Sequence, residues 1–397
     1  VSQAHKGSRL INIGQVKSTD LNTTFLAHYD ITENDVLSGI APLSNVSTLL
    51  PYSGKYGGGI AIEESTANIV TLAKQDFSGW NQYSGCVVTV TQNQSVPEWG
   101  TITATRIQTS GGGNTLKYYT SIETSISGGA YTAQCLIKNI GGKPVKFRTQ
   151  IGNTVTVNVG ETTLGYCIGT GNGTSQYQFR FEASTITDNL DFIVYQPQVE
   201  RKFFGTSFTP STRASGILTY PADCINPSQG TISFWYYPRY SSSDITAQTD
   251  SPKLIQAGNY YSNSSITIWN TTAGLQLYVK GSTNSVWSYS ATVLPNAFTK
   301  GSWRMVAVTW NGTAWKTYVD GILYNSGTAT ETLGAISGNL LYVGGEGGDG
   351  GGSGGKVCNG IIDELRIDNI ERTDEEILSW YYSGAPFSPK GVYTVAY

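Results

Sequence analysis

Short runs in which apolar and polar residues alternate, each closed by Gly, Asn, Pro or Ser, recur along almost the whole chain. Thr101-Ile-Thr-Ala-Thr-Arg-Ile107, Val145-Lys-Phe-Arg-Thr-Gln-Ile151, Thr154-Val-Thr-Val-Asn-Val159, Leu275-Gln-Leu-Tyr-Val279 and Met305-Val-Ala-Val-Thr-Trp310 are examples. A period of two sends successive side chains to opposite faces, so each run reads as an antiparallel strand with one dry and one wet side. Asn311-Gly312 and Asp320-Gly321 lie between such runs and suit tight hairpins. Trp310–Trp315 and Tyr318–Tyr324 therefore read as consecutive hairpins. The pattern predicts an all-β chain of antiparallel β-sandwiches. One segment departs from it. Thr373-Asp-Glu-Glu376 is a capping box, followed by Ile377, Leu378, Trp380 and Tyr381 at helical spacing, with Gly384 as a stop. It predicts one short C-terminal helix, lying against a sheet edge.

Composition narrows the class. At 397 residues the chain has room for two or three domains of ~150 residues. Only 13% of its residues are charged and 12% are aromatic, which excludes the disordered class. A net charge of -3 and a pI near 5.5 argue against nucleic acid as a partner. No apolar run approaches the ~20 residues of a membrane-spanning helix, so no membrane insertion is expected. Cys86, Cys135, Cys167, Cys224 and Cys358 form no CxxC pair and no even framework. They read as buried free thiols of a protein assembled in a reducing cytoplasm. Val1–Lys6 has no apolar segment of a secretory leader, and the sole methionine is Met305, which suggests a removed initiator or a trimmed product. Residues 1–21 hold few large apolar side chains and read as an arm. The glycine-rich stretch 344–355 reads as a loop without the Lys-Ser/Thr pair of a phosphate-binding loop.

Four stretches resemble the laminin-G/concanavalin-like jelly roll of bacterial and phage surface proteins. They are Gly216–Pro221 with Gly230–Pro238, Trp303–Gly312, Lys316–Asn325, and Gly360–Asp368 with Asp374–Ile377. The opening strand of that family fits Phe25-Leu-Ala-His-Tyr-Asp30, far upstream of Gly216. The intervening part, from Ala67 through Phe77-Ser-Gly-Trp80 to Glu200, resembles a carbohydrate-binding-module-like (galactose-binding-like) β-sandwich. The joining sequence Gln198–Thr209 resembles linkers in phage tail and appendage proteins that carry the same pair. The expected division is an arm over 1–21, a discontinuous jelly roll over 22–64 plus 205–387, an inserted sandwich over 65–204, and a tail over 388–397.

Candidate chemistry follows from residue types. His5 and His28 are the only histidines and neither sits in a nucleophile–base arrangement; the Glu-x-Asp-x-x-Glu strand of concanavalin-like glucanases is absent. Glu346 and Asp349 share a loop unsuited to holding paired acids. The resemblance implies a structural calcium at Asp363 and Asp30; the alternative is that Asp363 and Glu364 cap turns and pair with Arg366. Sugar rings stack on aromatic platforms, for which the inserted part offers Trp99, Tyr118, Tyr119 and Tyr177, and the jelly roll offers Trp269 and Trp287. Trp80, Trp235, Trp303 and Trp310 are expected in cores. The implied protein is a non-enzymatic bacteriophage tail, fibre or capsid-attached component in the virion. It would bind other virion proteins through the arm and host-surface polysaccharide through its loops, in multiple copies. A secreted or surface-attached bacterial carbohydrate-binding protein and a purely architectural decoration protein are the alternatives.

Overall fold

The computed structural model describes residues 23–27, 50–53, 58–63, 66–99, 101–123, 127–150, 152–172, 177–202, 205–206, 208–213, 218–241, 252–259, 262–271, 274–283, 287–294, 299–336, 338, 340–345 and 357–383. The expected arm (1–21), the tail (388–397), His5, His28, Asp30 and the carboxylates Glu346 and Asp349 lie outside them. The chain divides into two units, 66–213 and the flanking 1–65 with 214–397. Among the described residues almost all regular structure is antiparallel strand, with one α-helix.

In the flanking unit an eight-stranded sheet runs Leu50–Ser53, Gly58–Ile62, Gly360–Asp368, Gln229–Pro238, Arg304–Asn311, Ala314–Val319 and Ile322–Thr328, with Thr23–Ala27 also paired to Gly360–Asp368. Phe25 lies opposite Ile367. A six-stranded sheet runs Leu218–Pro221, Leu340–Val343, Lys253–Ala257, Ser265–Thr271, Gly274–Lys280 and Trp287–Leu294. Ile232, Phe234, Val308, Trp310 and Ile367 from the first sheet share one core with Ile266, Ile268, Leu277, Val279 and Leu341 from the second. The two faces thus form a sandwich. Trp310 stacks on Trp315 with centroids 5.3 Å apart, and a Cβ at Gly230 would fall inside the Trp310 indole. Only glycine lets that strand pass beneath the ring.

Local chemistry sets the details. Asp320 and Gly321, at φ 53 and 78, make the two-residue loop between Val319 and Ile322. The preceding hairpin closes on Asn311 and Ala314, so its loop is Gly312-Thr313, one residue later than the expected Asn311-Gly312, with Gly312 at φ 60. Strict alternation fails at Ile362-Asp-Glu-Leu365, where Glu364 at φ 50 forms a bulge that lets Ile362, Leu365 and Ile367 all reach the core.

The helix Asp374–Ser383 carries its capping box: Thr373 N donates to Glu376 Oε2 at 2.9 Å and Glu376 N to Thr373 Oγ1 at 3.3 Å. It packs on the sheet's outer face, not its edge, because Trp235, Met305, Ala307 and Tyr318 form an apolar patch there that Ile377 covers. Trp235 is therefore buried beneath the helix and Trp303 half-buried beside it, while Trp310 occupies the main core. Arg366 lies over the Trp380 ring at 4.2 Å while its Nε donates to Asp368 Oδ1 at 2.7 Å.

The inserted unit has two five-stranded sheets. The front sheet runs Thr154–Val157, Val145–Thr149, Tyr177–Glu182, Leu116–Glu123 and Asn81–Gln82; the back sheet runs Thr162–Asn172, Ser127–Asn139, Asp191–Glu200, Thr101–Gly111 and Cys86–Val96. Their shared core is aromatic: Phe77, Trp80, Tyr118, Phe147, Phe179, Phe181 and Phe192. Trp80 Nε1 donates to Lys74 O at 2.8 Å and its ring stacks on Phe181 with centroids 5.6 Å apart. Phe77 sits at φ 64, strained for a bulky residue and held there by this packing. Where the chain comes in and goes out, Thr66–Ala67 pairs with Thr212–Arg213. Beside that ribbon the buried Glu200 carboxylate accepts from Thr66 Oγ1, from Thr206 N at 2.8 Å and from Thr206 Oγ1 at 2.6 Å.

Candidate functional site

The strand Ser265-Ile-Thr-Ile-Trp269 shows why one sheet face is polar. Ile266 and Ile268 enter the core, so Ser265, Thr267 and Trp269 take the outer side. The same split sends Gln276, Tyr278 and Lys280 outward from the next strand, opposite the core residues Leu275, Leu277 and Val279. Register then assembles rows across the sheet. Lys253, Trp269 and Gln276 are consecutive cross-strand partners, as are Tyr342, Gln256, Thr267 and Tyr278.

Lys253 Nζ lies 3.2 Å from the centre of the Trp269 ring, and Tyr278 meets that ring edge-on with centroids 4.8 Å apart. Tyr278 OH donates to Gln276 Oε1 at 2.7 Å. Lys253, Gln256, Ser265 and Thr267 are buried, whereas Trp269, Gln276, Tyr278 and Tyr342 are half-buried and give access from solvent. Burial also pulls the Lys280 ammonium below its ordinary pKa. An ammonium, amides, hydroxyls and two aromatic rings on one rigid sheet are groups that recognise polyols.

The other nominated residues scatter. Tyr118 is a correction: it is 2% exposed, its ring stacks on Trp80 with centroids 5.8 Å apart, and its hydroxyl donates to Phe77 O. A strand residue on the core side has no face left for a sugar. Burial pushes its hydroxyl up to about 12. Tyr119, the next residue, is half-buried on the front sheet's outer face, between Asn81 and Arg180 in register. Trp99 ends a short 3-10 turn, Pro97–Trp99, and is half-buried over Val96, Ala104 and Ile193, near-parallel to Tyr195 at 6.4 Å. Tyr177 and Trp287 begin strands opposite Glu123 and Lys280; their side chains lie outside the described residues.

Asp363 is buried, with its Oδ1 accepting from Glu364 N at 2.8 Å. Among the described residues no three His, Cys, Asp or Glu side chains converge, and Asp30, the other residue of the expected calcium site, lies outside them. All five cysteines are buried and free. Burial pushes the Cys167, Cys224 and Cys358 thiols up to about 12, which makes them poor nucleophiles.

Reading the sequence for aromatics nominated Trp269 but not Lys253, Gln276 and Tyr278, which the structure sets beside it. The alternation of Leu275-Gln-Leu-Tyr-Val279 is the signal that sends Gln276 and Tyr278 to that outer face.

No helix among the described residues is long and apolar enough to cross a membrane. No curated protein is similar to the chain in sequence. Among solved structures, domain 4 of AbnA, an extracellular arabinanase from Geobacillus stearothermophilus solved with arabinotriose, is similar in fold. It is 20% identical over 42% of this chain and 72% of that one, with a TM-score of 0.32. The CBM40 of a Ruminococcus gnavus sialidase, bound to α2,3-sialyllactose, is 18% identical over 38% and 82%, with a TM-score of 0.30. The botulinum neurotoxin serotype D binding domain is 16% identical over 42% and 40%, with a TM-score of 0.32. Residues 211–378, the heart of the flanking sandwich, match the laminin-G family described as the concanavalin A-like lectin/glucanases superfamily.

Proposed function

We propose that the protein is a non-enzymatic glycan-binding component of a bacteriophage particle, holding host-surface polysaccharide at the outer face of its six-stranded sheet. One observation carries the reading. Ser265 Oγ and Thr267 Oγ1 are buried on that face with no hydrogen-bond partner among the described residues, beside the Trp269–Tyr278 pair. Buried hydroxyls are costly unless satisfied, by about 1–3 kcal/mol each. Neither hydroxyl is exposed, so a sugar packing its C–H face on the half-buried rings would satisfy them by displacing the side chains that cover them. Copies displayed on one particle raise avidity by ~10²–10⁴ without stronger single sites. In this reading residues 1–21 attach the protein to other virion proteins, and five buried free thiols suit assembly in a reducing host cytoplasm.

The test is a glycan array with the wild type and Trp269→Ala, alongside immunogold labelling of purified particles. Expected are glycan binding that falls at least ~10-fold in the variant with its melting transition kept, and label on the particles. Label only in culture medium would favour the secreted bacterial protein. Particle label without any glycan bound would favour the architectural role.

A further inference from the structure

Val145-Lys-Phe-Arg-Thr149 and Gln178-Phe-Arg-Phe-Glu182 are neighbouring strands of the inserted unit's front sheet. Val145, Phe147, Phe179 and Phe181 fill its core, so Lys146, Arg148, Gln178, Arg180 and Glu182 share the outer face. Register sets Tyr119, Arg180 and Arg148 in one row across three strands.

The cations on this face are poorly matched. Glu182 Oε1 lies 3.9 Å from Arg148 Nε and 3.8 Å from Arg180 Nη1, too far to accept a hydrogen bond from either. Arg180 Nε donates to Gln178 Oε1 at 2.8 Å, and Arg148 donates only to the Thr149 and Gln150 carbonyls, each at 3.1 Å. Among the described residues both terminal nitrogens of Arg180 and Nη1 of Arg148 find no hydrogen-bond acceptor. Burial lowers the Arg180 pKa, Glu182 raises it and Arg148 lowers it again. Nearby, the buried Gln150 Oε1 has no partner. The excess is regional: residues 66–213 hold 11 Lys and Arg against 8 Asp and Glu, while the rest holds 14 against 20.

We propose that this face binds anionic carbohydrate, with the Arg148 and Arg180 guanidinium groups taking a carboxylate or sulfate ester and Tyr119 packing beside the sugar ring. Two guanidinium forks on adjacent rigid strands suit a planar or tetrahedral anion better than ammonium groups do. The site is separate from the Trp269 face and does not depend on it.

The experiment is affinity electrophoresis of the full chain in polygalacturonate, dextran sulfate and unsubstituted dextran, at low and high salt. Variants are Arg148→Gln with Arg180→Gln, each arginine variant alone, Trp269→Ala, and Lys138→Gln on the back sheet as a control matched in charge to each single arginine variant. Retardation is expected in one or both acidic polymers and not in dextran, falling with salt. The double arginine variant should lose it about 10-fold or more, with an unchanged circular dichroism spectrum. The two acidic arms tell carboxylate from sulfate. Equal retardation in dextran, none in either acid, an equal loss in Lys138→Gln, or displacement by a single-stranded oligonucleotide at lower concentration would each overturn the proposal. Loss in Trp269→Ala alone would assign acid binding to the other face and overturn it likewise.

Discussion

Phe25 lies opposite Ile367 in the flanking sandwich, whereas among the described residues every strand pairing of the inserted sandwich falls between residues 66 and 213. The first core is mostly aliphatic with a Trp310–Trp315 stack; the second is a cluster of phenylalanines around Trp80. Their outer faces differ in the same spirit. One carries a buried lysine, amides and hydroxyls around Trp269, the other a row of arginines with a single carboxylate between them. Two sandwiches of one architecture thus present different chemistry, because strand alternation lets the outward half of each sequence vary while the inward half keeps the core.

The largest effect should come from the cores, which share no residue. Trp310→Ala is expected to remove about 3–5 kcal/mol from the flanking sandwich and lower its melting transition by roughly 10 °C, leaving the inserted sandwich's transition in place. Calorimetry showing one transition that shifts as a whole would break the separation of the two units. A middle-sized effect is expected at Glu200, which accepts three hydrogen bonds at the junction of the insert's ends. Glu200→Gln replaces an acceptor by a donor and should cost about 2 kcal/mol, read as a lower transition for the inserted unit and faster proteolysis near residues 201–213.

The smallest effect belongs to the flanking unit's helix. Tyr318 OH donates to Asp374 Oδ1 at 2.8 Å, and with Lys316 Nζ at 3.2 Å it holds that carboxyl below its ordinary 3.8. A depressed pKa stabilises the fold while the group is charged, so the contribution is present above about 3.8 and lost as pH falls through the lower folded value. The Asp374 side chain is 47% exposed, so solvent screening keeps the contribution small. Asp374→Asn should lower the melting temperature slightly at neutral pH and converge on the wild type in acid. A gap that persists unchanged however far the pH falls below 3.8 would remove the ion pair from the account.

Much of this was legible in the residues. Alternation located the strands, and Thr373 with Glu376 located the helix. The resemblance carried by Phe77-Ser-Gly-Trp80 implies a core position for Trp80, where the structure has it. What was not legible depended on register. Tyr118 and Tyr119 are adjacent and chemically identical, and only the pairing of their strand decides which one is buried. The resting place of the helix was also hidden, because the patch under it gathers Trp235, Met305 and Tyr318 from three separate strands. Lys253 and Trp269 meet for the same reason, across a ladder whose bulge lies between Lys253 and Ile255.

The short ribbon of Thr66–Ala67 with Thr212–Arg213, clasped by Glu200, makes the insert a cassette whose two leads leave side by side. A host fold interrupted by such a cassette needs to bridge only a narrow gap at that point. Leads lying so close give the geometry from which a domain is exchanged or transplanted as a unit, because its entry and exit need no rerouting of the chain.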